Sequence, residues 1–173
     1  MRYNNYTMRK VIFLDIDGVL NTKYWYSQMD RNTPKDQYGY MFDPISVDNL
    51  GKIIKETGAD IVISSSWKCM GLSAMLDMWD DRGLPGKIID ITPNTVSDEM
   101  LLTANLENFE MTHIRGCEIQ EWLDTKGNDV SHYLILDDMD NFLPEQQDHF
   151  VWIDPNEGIT EGNVVQATMI LIT

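Results

Sequence analysis

One short stretch near the start of the chain constrains its fold more than any other. Four apolar residues, Val11 to Leu14, run directly into two aspartates one residue apart, Asp15 and Asp17, and then into Gly18. The apolar run is typical of a strand covered on both faces, as in a parallel sheet flanked by helices. Side chains alternate along a strand, so both aspartates should point to one side of its carboxyl end, where open α/β sheets place ligands. Aspartate and glycine are also common turn residues, and the pair alone does not establish a site.

Further apolar segments predict more strands of the same sheet, with helical patterns between them. The predicted strands are residues 59–63, 87–92, 132–138 and 150–154, and the predicted helices are residues 43–58, 70–81, 117–127 and 161–172. Asp43 and Pro44 suit the first positions of a helix, and Gly58 suits its end. A strand, helix and strand in succession form a right-handed crossover, which brings Ser64 near Asp15.

These elements predict one doubly wound, Rossmann-like α/β domain over residues 1–173, a three-layer sandwich with a mainly parallel sheet. We expect residues 1–10 to be a lead-in to the first strand, and residues 93–112 to be a loop or a small helical insert. Residues 21–42 form an aromatic-rich flap or loop with no clear period. Loops of this length often cover a site. Its aromatic side chains could stack on a ligand, or pack the loop onto the body.

Composition limits the classes of function. The 173 residues are 43% hydrophobic and 24% charged, as in an ordinary globular fold, and the formal net charge of -15 argues against a broad nucleic-acid surface but not against a local basic pocket. Neither Cys69 nor Cys117 has metal-ligand spacing, so both should be core residues of a reduced protein. No signal peptide or membrane span is evident, which predicts a cytoplasmic protein with no membrane association. No stable protein partner is evident from the sequence.

Acidic, hydroxyl and basic side chains are predicted to meet at the carboxyl edge of the sheet. They are Asp15, Asp17, Ser64, Ser65, Asp137 and Asp138, with Arg115 at the start of the helix that leads to the last pair. Phosphoryl transfer can use these types as a carboxylate nucleophile, a dication held by carboxylates, and donors for the developing charge. Asp154 better suits a turn, and His113, His132 and His149 show no ligand spacing and should be structural.

The order of these motifs resembles the haloacid dehalogenase-like (HAD) superfamily over roughly residues 11–138. The strings FLDIDGVLN, TGADIVISSSWK, RGCEIQEWL and YLILDD are similar to the HAD domain of Swiss Army knife RNA-repair proteins. The resemblance implies a HAD-like fold with only a minimal, loop-type cap. It also implies a Mg²⁺-dependent phosphohydrolase that acts through an aspartyl-phosphate.

The resemblance also implies roles for individual acidic residues. Asp15 should be the nucleophile, and Asp17 the general acid and then base, with its backbone carbonyl on the metal. Asp138 should ligate Mg²⁺ directly, and Asp137 should contact the ligands and not the ion itself, although the two roles could be reversed. Magnesium prefers oxygen ligands and keeps several waters, so this set suffices.

The hydroxyl donor and the cation at the site each have alternative candidates. Ser64 should donate its hydroxyl to the phosphate, and Arg115 should be the cation that pairs with nucleophile and phosphate. The alternatives are Ser65 or Ser66 for the hydroxyl and Lys68 or Lys87 for the cation. For either lysine, a solvated position at the end of a helix or strand is the more ordinary expectation.

The substrate class and the class of protein both have rivals. An open site suits a nucleotide, a nucleic-acid end or a phosphoprotein, whereas the acidic surface favours a small phosphorylated molecule or a carrier partner. A non-catalytic phosphate- or metal-binding module on the same fold is the main rival, and the presence of Asp17 argues against it. A receiver domain would place its acidic pair before the phosphoacceptor strand, and a metal-dependent glycosyltransferase would need a longer nucleotide-binding domain.

Overall fold

A single parallel sheet runs through the chain, which we describe from a computed structural model over residues 8–94 and 114–173. The predictions for residues 1–7, for most of residues 93–112 and for His113 lie outside these ranges. The five strands have the order β3-β2-β1-β4-β5, and every pairing between neighbours is parallel. Their bounds are β1 Arg9–Leu14, β2 Asp60–Ile63, β3 Ile88–Ile91, β4 Val130–Asp137 and β5 Phe150–Trp152.

The helices connect these strands largely as predicted. They are α1 Lys23–Ser27, α2 Pro44–Thr57, α3 Leu72–Asp81, α4 Ile114–Lys126 and α5 Glu161–Ile172, with 3₁₀ turns at Ser66–Met70 and Pro144–His149. Asp43 caps α2 and Gly58 ends it in the left-handed conformation, both as expected. The predicted helix over residues 70–81 begins only at Leu72, because Gly71 has a φ of 86° and separates it from the preceding 3₁₀ turn.

The side chains of β1 point alternately to the two faces of the sheet, where they join two separate layers of the core. Ile12 and Leu14 belong to a large buried cluster that includes residues of α2, α3 and α5. Val11 and Phe13 face a second cluster on the other side of the sheet, where Trp122 of α4 packs edge-on against Phe13. Because β1 is buried on both faces, its carboxyl end is the interior position from which Asp15 emerges. The predicted three-layer α/β sandwich is confirmed.

The insert of residues 21–42 has more order than its sequence predicts. It contains α1 and a tight turn in which Asp36 and Gly39 exchange backbone hydrogen bonds. The guanidinium of Arg82 holds this turn with two 2.8 Å hydrogen bonds to the Asp36 carboxylate. Tyr38 packs back onto α3, where its hydroxyl donates to Asp81, whereas Tyr24 remains 63% exposed. Some aromatic residues of the insert therefore pack against the body of the domain, and others remain exposed.

Several smaller predictions have clear outcomes. Asp154 forms a turn, as expected, because its carboxylate accepts the Asn156 backbone N–H at 2.8 Å. His149 stacks on the Tyr133 ring with centroids 3.9 Å apart, which supports a structural role. The prediction that Cys69 is a core residue is wrong, since it lies exposed on the 3₁₀ turn after β2. Within the described ranges, no helix has both the length and the apolar character needed to span a membrane.

Asp43 joins the insert to the body and offers a test of the fold. One carboxylate oxygen caps α2 by accepting the Ile45 N–H at 2.9 Å, and the other accepts the buried Thr22 hydroxyl at 2.8 Å. We predict that Asp43→Ala lowers the free energy of unfolding by about 1–2 kcal/mol, because it removes the cap and leaves the hydroxyl without its acceptor.

Urea denaturation followed by circular dichroism measures this loss. Asp43→Asn is the matched control, because asparagine is as good a helix cap and keeps polar atoms next to Thr22. Equal stability of the alanine variant and the wild type would contradict the role of Asp43.

Candidate active site

Three carboxylates meet at the carboxyl ends of two neighbouring strands. Asp15 follows β1, and Asp137 and Asp138 lie at the end of β4, which pairs with β1 so that Leu14 is opposite Leu136. The Asp15 backbone N–H donates to the Leu136 carbonyl at 3.0 Å, which continues this pairing to the site. One oxygen from each of the three carboxylates lies within 4.8 Å of the other two. The structure thus brings together acidic residues that are more than 120 positions apart in the chain.

Burial makes this acidic cluster electrostatically costly. Asp15 is 6% exposed and Asp137 is 2% exposed. Loss of hydration, with the negative charge of Asp15 as the next contribution, raises the pKa of Asp137 to about 8. Burial also raises the pKa of Asp15, against the opposing effect of the positive charge on Arg115. In the absence of a cation, the cluster therefore holds protons more tightly than ordinary aspartates do.

Gly18 makes room for the third carboxylate. Its φ of 80° lies in the left-handed region, and a Cβ at this position would come within 2.5 Å of the Asp138 Cγ. The Gly18 N–H also donates to the Asn21 carbonyl at 2.9 Å, which closes the turn after β1. A glycine is needed here for both backbone conformation and space, which explains its position after the second aspartate.

Arg115 supplies the positive charge at the cluster. Its Nη1 lies 3.6 Å from Oδ1 of Asp15 and also donates to the backbone carbonyl of Ser64. The sequence placed Arg115 just before a helix, whereas the structure has it in the first residues described for α4. The arginine side chain is 20% exposed, so one side of it remains open to a ligand.

The two serines after β2 have different surroundings. Ser64 continues the pairing with β1 through its N–H, which donates to the Leu14 carbonyl at 2.9 Å. Its hydroxyl is buried and has no hydrogen-bond partner among the residues that the structure describes. The Ser65 hydroxyl instead faces Asp15, and its hydrogen bonding lowers the pKa of that carboxyl against the larger effect of burial. Ser65 therefore lies next to Asp15, the predicted nucleophile.

Lys68 is engaged away from the carboxylate cluster. Its ammonium donates to Glu118 at 2.5 Å, to the Thr92 hydroxyl at 3.1 Å and to the Pro93 carbonyl at 2.9 Å. These three bonds use all three of its donors. The expectation of a solvated lysine is wrong here, since the residue is 9% exposed, whereas Lys87 is exposed as expected. Nothing in the sequence singles out Glu118 as the partner.

Asp17 lies at the surface beside the buried cluster. Its Oδ1 accepts the Asn21 side-chain N–H at 3.1 Å, and its Oδ2 accepts the Trp67 indole N–H at 2.9 Å. Neither partner is predicted from the sequence. Asn21 ends the string FLDIDGVLN, but Trp67 is 50 positions from Asp17, and no local pattern signals their contact.

The carboxylate cluster fits a small divalent cation. All three side chains offer oxygen atoms, the ligand type that Mg²⁺ prefers at about 2.0–2.1 Å. Two oxygens on opposite sides of such an ion are about 4 Å apart, so ligands within 4.8 Å of one another can share it after a small adjustment. Burial is the main cause of the raised pKa of Asp137, and a dication would offset the second cause, the repulsion from Asp15.

A parallel α/β sheet with carboxylates, a serine and an arginine at its carboxyl edge has the arrangement of a HAD-like fold. A family model described as the HAD domain in Swiss Army Knife RNA repair proteins matches residues 11–164. The chain belongs to this family, which confirms the resemblance noted in the sequence and suggests a phosphohydrolase. No curated protein matches the chain.

The raised pKa of Asp137 predicts how the stability of the metal-free protein depends on pH. Below about pH 4, Asp137 is protonated in both the folded and the unfolded chain. Between about pH 4 and its folded-state pKa of about 8, the folded chain keeps a proton that the unfolded chain has lost. The contribution of Asp137 to stability is therefore present at low pH and lost as the pH rises through this window.

Thermal unfolding in chelator measures this dependence. We expect Asp137→Asn to be more stable than the wild type at pH 8, with a difference that shrinks toward pH 4, because the amide never ionises. Asp77→Asn, on the exposed surface of α3, is the control and should follow the wild-type curve. Parallel curves for Asp137→Asn and the wild type would contradict the prediction.

Proposed function

We propose that this chain is a Mg²⁺-dependent phosphatase that hydrolyses phosphate monoesters through a covalent aspartyl-phosphate on Asp15. The groups that surround Asp15 support this proposal most directly. This buried carboxylate lies 3.6 Å from the Arg115 guanidinium, faces the Ser65 hydroxyl and shares an acidic cluster with Asp137 and Asp138. It is thus next to groups that can hold a phosphate against it.

In the first step, an Asp15 carboxylate oxygen attacks phosphorus. The new oxygen–phosphorus bond forms as the ester bond breaks, and its electron pair leaves with the alcohol oxygen. Arg115 and the Ser65 hydroxyl donate to phosphate oxygens and stabilise the charge of the transition state. Ser64 also remains a candidate donor, because its hydroxyl has no partner among the described residues.

Asp17 moves the protons in both steps. In the first step it gives a proton to the leaving oxygen, which departs as an alcohol. In the second step it takes a proton from the water that attacks phosphorus, and inorganic phosphate leaves as Asp15 is regenerated. Its position at the surface beside the buried cluster suits contact with both the leaving group and water.

The residues that would hold Mg²⁺ are Asp15, Asp138 and the Asp17 backbone carbonyl, with Asp137 next to them. When bound, the ion neutralises phosphate oxygens and allows neighbouring carboxylates to be charged together. Asp137 also accepts the Met139 backbone N–H at 2.9 Å, a bond that orients its carboxylate toward the cluster. This supports a role for Asp137 in placing the other ligands.

The substrate class we propose is the phosphate of a nucleotide or a nucleic-acid end. The family description, which refers to RNA repair, supports this class. A small phosphorylated metabolite is the second candidate, and the formal net charge of -15 favours it because long polyanions are repelled by an acidic surface. A panel of aryl phosphates, nucleotides and 5′- or 3′-phosphorylated oligonucleotides separates the two.

The role of Asp15 gives the first prediction of the proposed function. Asp15→Asn should lower kcat for 4-nitrophenyl phosphate by at least about 10³-fold, because an amide is a poor nucleophile. Phosphate release and the melting temperature are measured together. Asp148→Asn, an exposed aspartate of the second 3₁₀ turn, is the control and should retain activity. An active Asp15→Asn variant would remove the nucleophile assignment, and a folded wild type inactive on the whole panel would favour a non-catalytic binding module.

The acidic cluster gives a second prediction. Chelator should abolish turnover by the wild type, and added Mg²⁺ should restore it. By isothermal titration calorimetry, Asp138→Asn should weaken Mg²⁺ binding by about 10-fold or more, since it removes a direct ligand and a negative charge. A larger loss in Asp137→Asn would reverse the order of the two ligands. Undiminished turnover in chelator would refute metal dependence.

A further inference from the structure

We propose that Trp67 is the positioning residue for the general acid, holding the Asp17 carboxylate in place for proton transfer to the leaving group. The inference rests on the proposed phosphatase function and assigns a role to a residue for which the sequence predicted none. It starts from the contact between the Trp67 indole N–H and Oδ2 of Asp17 at 2.9 Å. Asp17 is otherwise exposed, so its orientation depends on the few groups that touch it.

Asp17 is held from two sides. Trp67 donates to Oδ2 and Asn21 donates to Oδ1 at 3.1 Å, so the plane of the carboxylate is defined by two donors. Each carboxylate oxygen has a second lone pair, which remains available to carry the transferred proton. An exposed aspartate without such contacts would sample several rotamers, and general acid catalysis requires the proton within hydrogen-bond reach of the leaving oxygen.

A single turn reaches both catalytic aspartates. Ser65 caps the 3₁₀ turn Ser66–Met70 by accepting the Trp67 backbone N–H at 3.5 Å, and its hydroxyl faces Asp15. Two residues later, the Trp67 side chain reaches Asp17. The turn therefore contacts both the proposed nucleophile and the proposed general acid. Their spacing must match the two ends of the bond that breaks.

Trp67 packs against the aromatic insert of residues 21–42. The Trp67 ring packs edge-on against Phe42, with centroids 5.7 Å apart, and Phe42 is 4% exposed. The Arg82 guanidinium lies 4.5 Å from the centre of the Phe42 ring and is itself held by Asp36. The indole is thus packed against a fixed part of the insert. This chain of contacts gives the insert a role in orienting the acid.

The chemistry of the leaving group provides a test specific to positioning. When the ester bond breaks, its electron pair goes to the leaving oxygen, which takes a proton from Asp17. Nitrophenolate is a weak base and leaves without much assistance, whereas an alkoxide needs the proton as the bond breaks. A misplaced acid therefore slows alkyl phosphates selectively, whereas a general loss of structure slows both kinds of substrate alike.

The experiment compares kcat/KM for 4-nitrophenyl phosphate with that for an alkyl phosphate. The alkyl substrate is adenosine 5′-monophosphate or a 5′-phosphorylated oligonucleotide, whichever the wild type hydrolyses faster. Trp67→Phe keeps an aromatic ring against Phe42 but removes the N–H donor. We expect it to lose about 10- to 100-fold on the alkyl phosphate, part of the 10²–10⁴-fold that acid–base catalysis supplies, and about twofold or less on the aryl phosphate.

Two reference variants show how large and how selective the loss in Trp67→Phe is. Asp17→Asn removes the acid and should show the same selectivity with a larger loss. Trp79→Phe is the matched control, because its indole N–H donates to the Pro85 carbonyl at 3.0 Å and has no contact with Asp17, so any change should be equal on both substrates. Should Trp67→Phe fold poorly, Asn21→Ala removes the other donor to Asp17 and should show the same selectivity.

The outcomes separate this inference from the proposed function. An inactive wild type, or an active Asp15→Asn, means that the proposed function fails, and the inference fails with it. An active wild type with a selective Asp17→Asn but an unselective Trp67→Phe overturns only the role of Trp67. Where Trp67→Phe does not fold, an unselective Asn21→Ala has the same consequence. Absence of selectivity in Asp17→Asn also overturns it, because Asp17 would then not be the acid.

Discussion

Three aspartates, two of them buried, each have a carboxylate oxygen within 4.8 Å of the other two. They repel one another, and the protein must offset that repulsion to keep the ends of its central strands together. Arg115 provides part of the compensation with a positive charge 3.6 Å from Asp15. Protonation provides another part in the absence of a cation, as the raised pKa of Asp137 indicates. The same repulsion would favour binding of the dication proposed for this site, because the ion would offset the negative charges that the fold brings together.

The rigid sheet is what makes this cluster possible. β1 is covered on both faces by apolar side chains, and its parallel pairing with β4 places Asp15 beside Asp137. Burial of the hydrophobic layers favours folding strongly enough to tolerate unfavourable charges at one edge. Gly18 completes the arrangement, since any side chain there would collide with Asp138.

Around this centre, polar contacts join segments that are far apart in the chain. Lys68 and Glu118 form a buried ion pair between the turn after β2 and α4, the helix that also carries Arg115. Arg82 connects α3 to the insert through Asp36, and the insert in turn packs against Trp67. Removing one partner of such a pair would leave a buried charge uncompensated, so these contacts specify relative positions more than they add stability. The acidic centre is thus surrounded by elements whose positions depend on one another.

Local sequence determined the parts of this protein that depend on neighbouring residues. An apolar run followed by Asp15, Asp17 and Gly18 predicts a strand that ends in a carboxylate site, and Asp43 and Gly58 predict the ends of α2, because caps and strand ends are short-range features. The order of the motifs was enough to indicate the family, which the match over residues 11–164 then showed.

Only the tertiary structure decided which side chains meet. It placed the Ser65 hydroxyl toward Asp15, buried Lys68 against Glu118, and brought Trp67 to Asp17. The last two contacts each join residues 50 positions apart. The sequence pattern near either partner carries no record of such a pairing, because it arises from the crossover that lays β2 beside β1 and from the packing of α4 against the sheet.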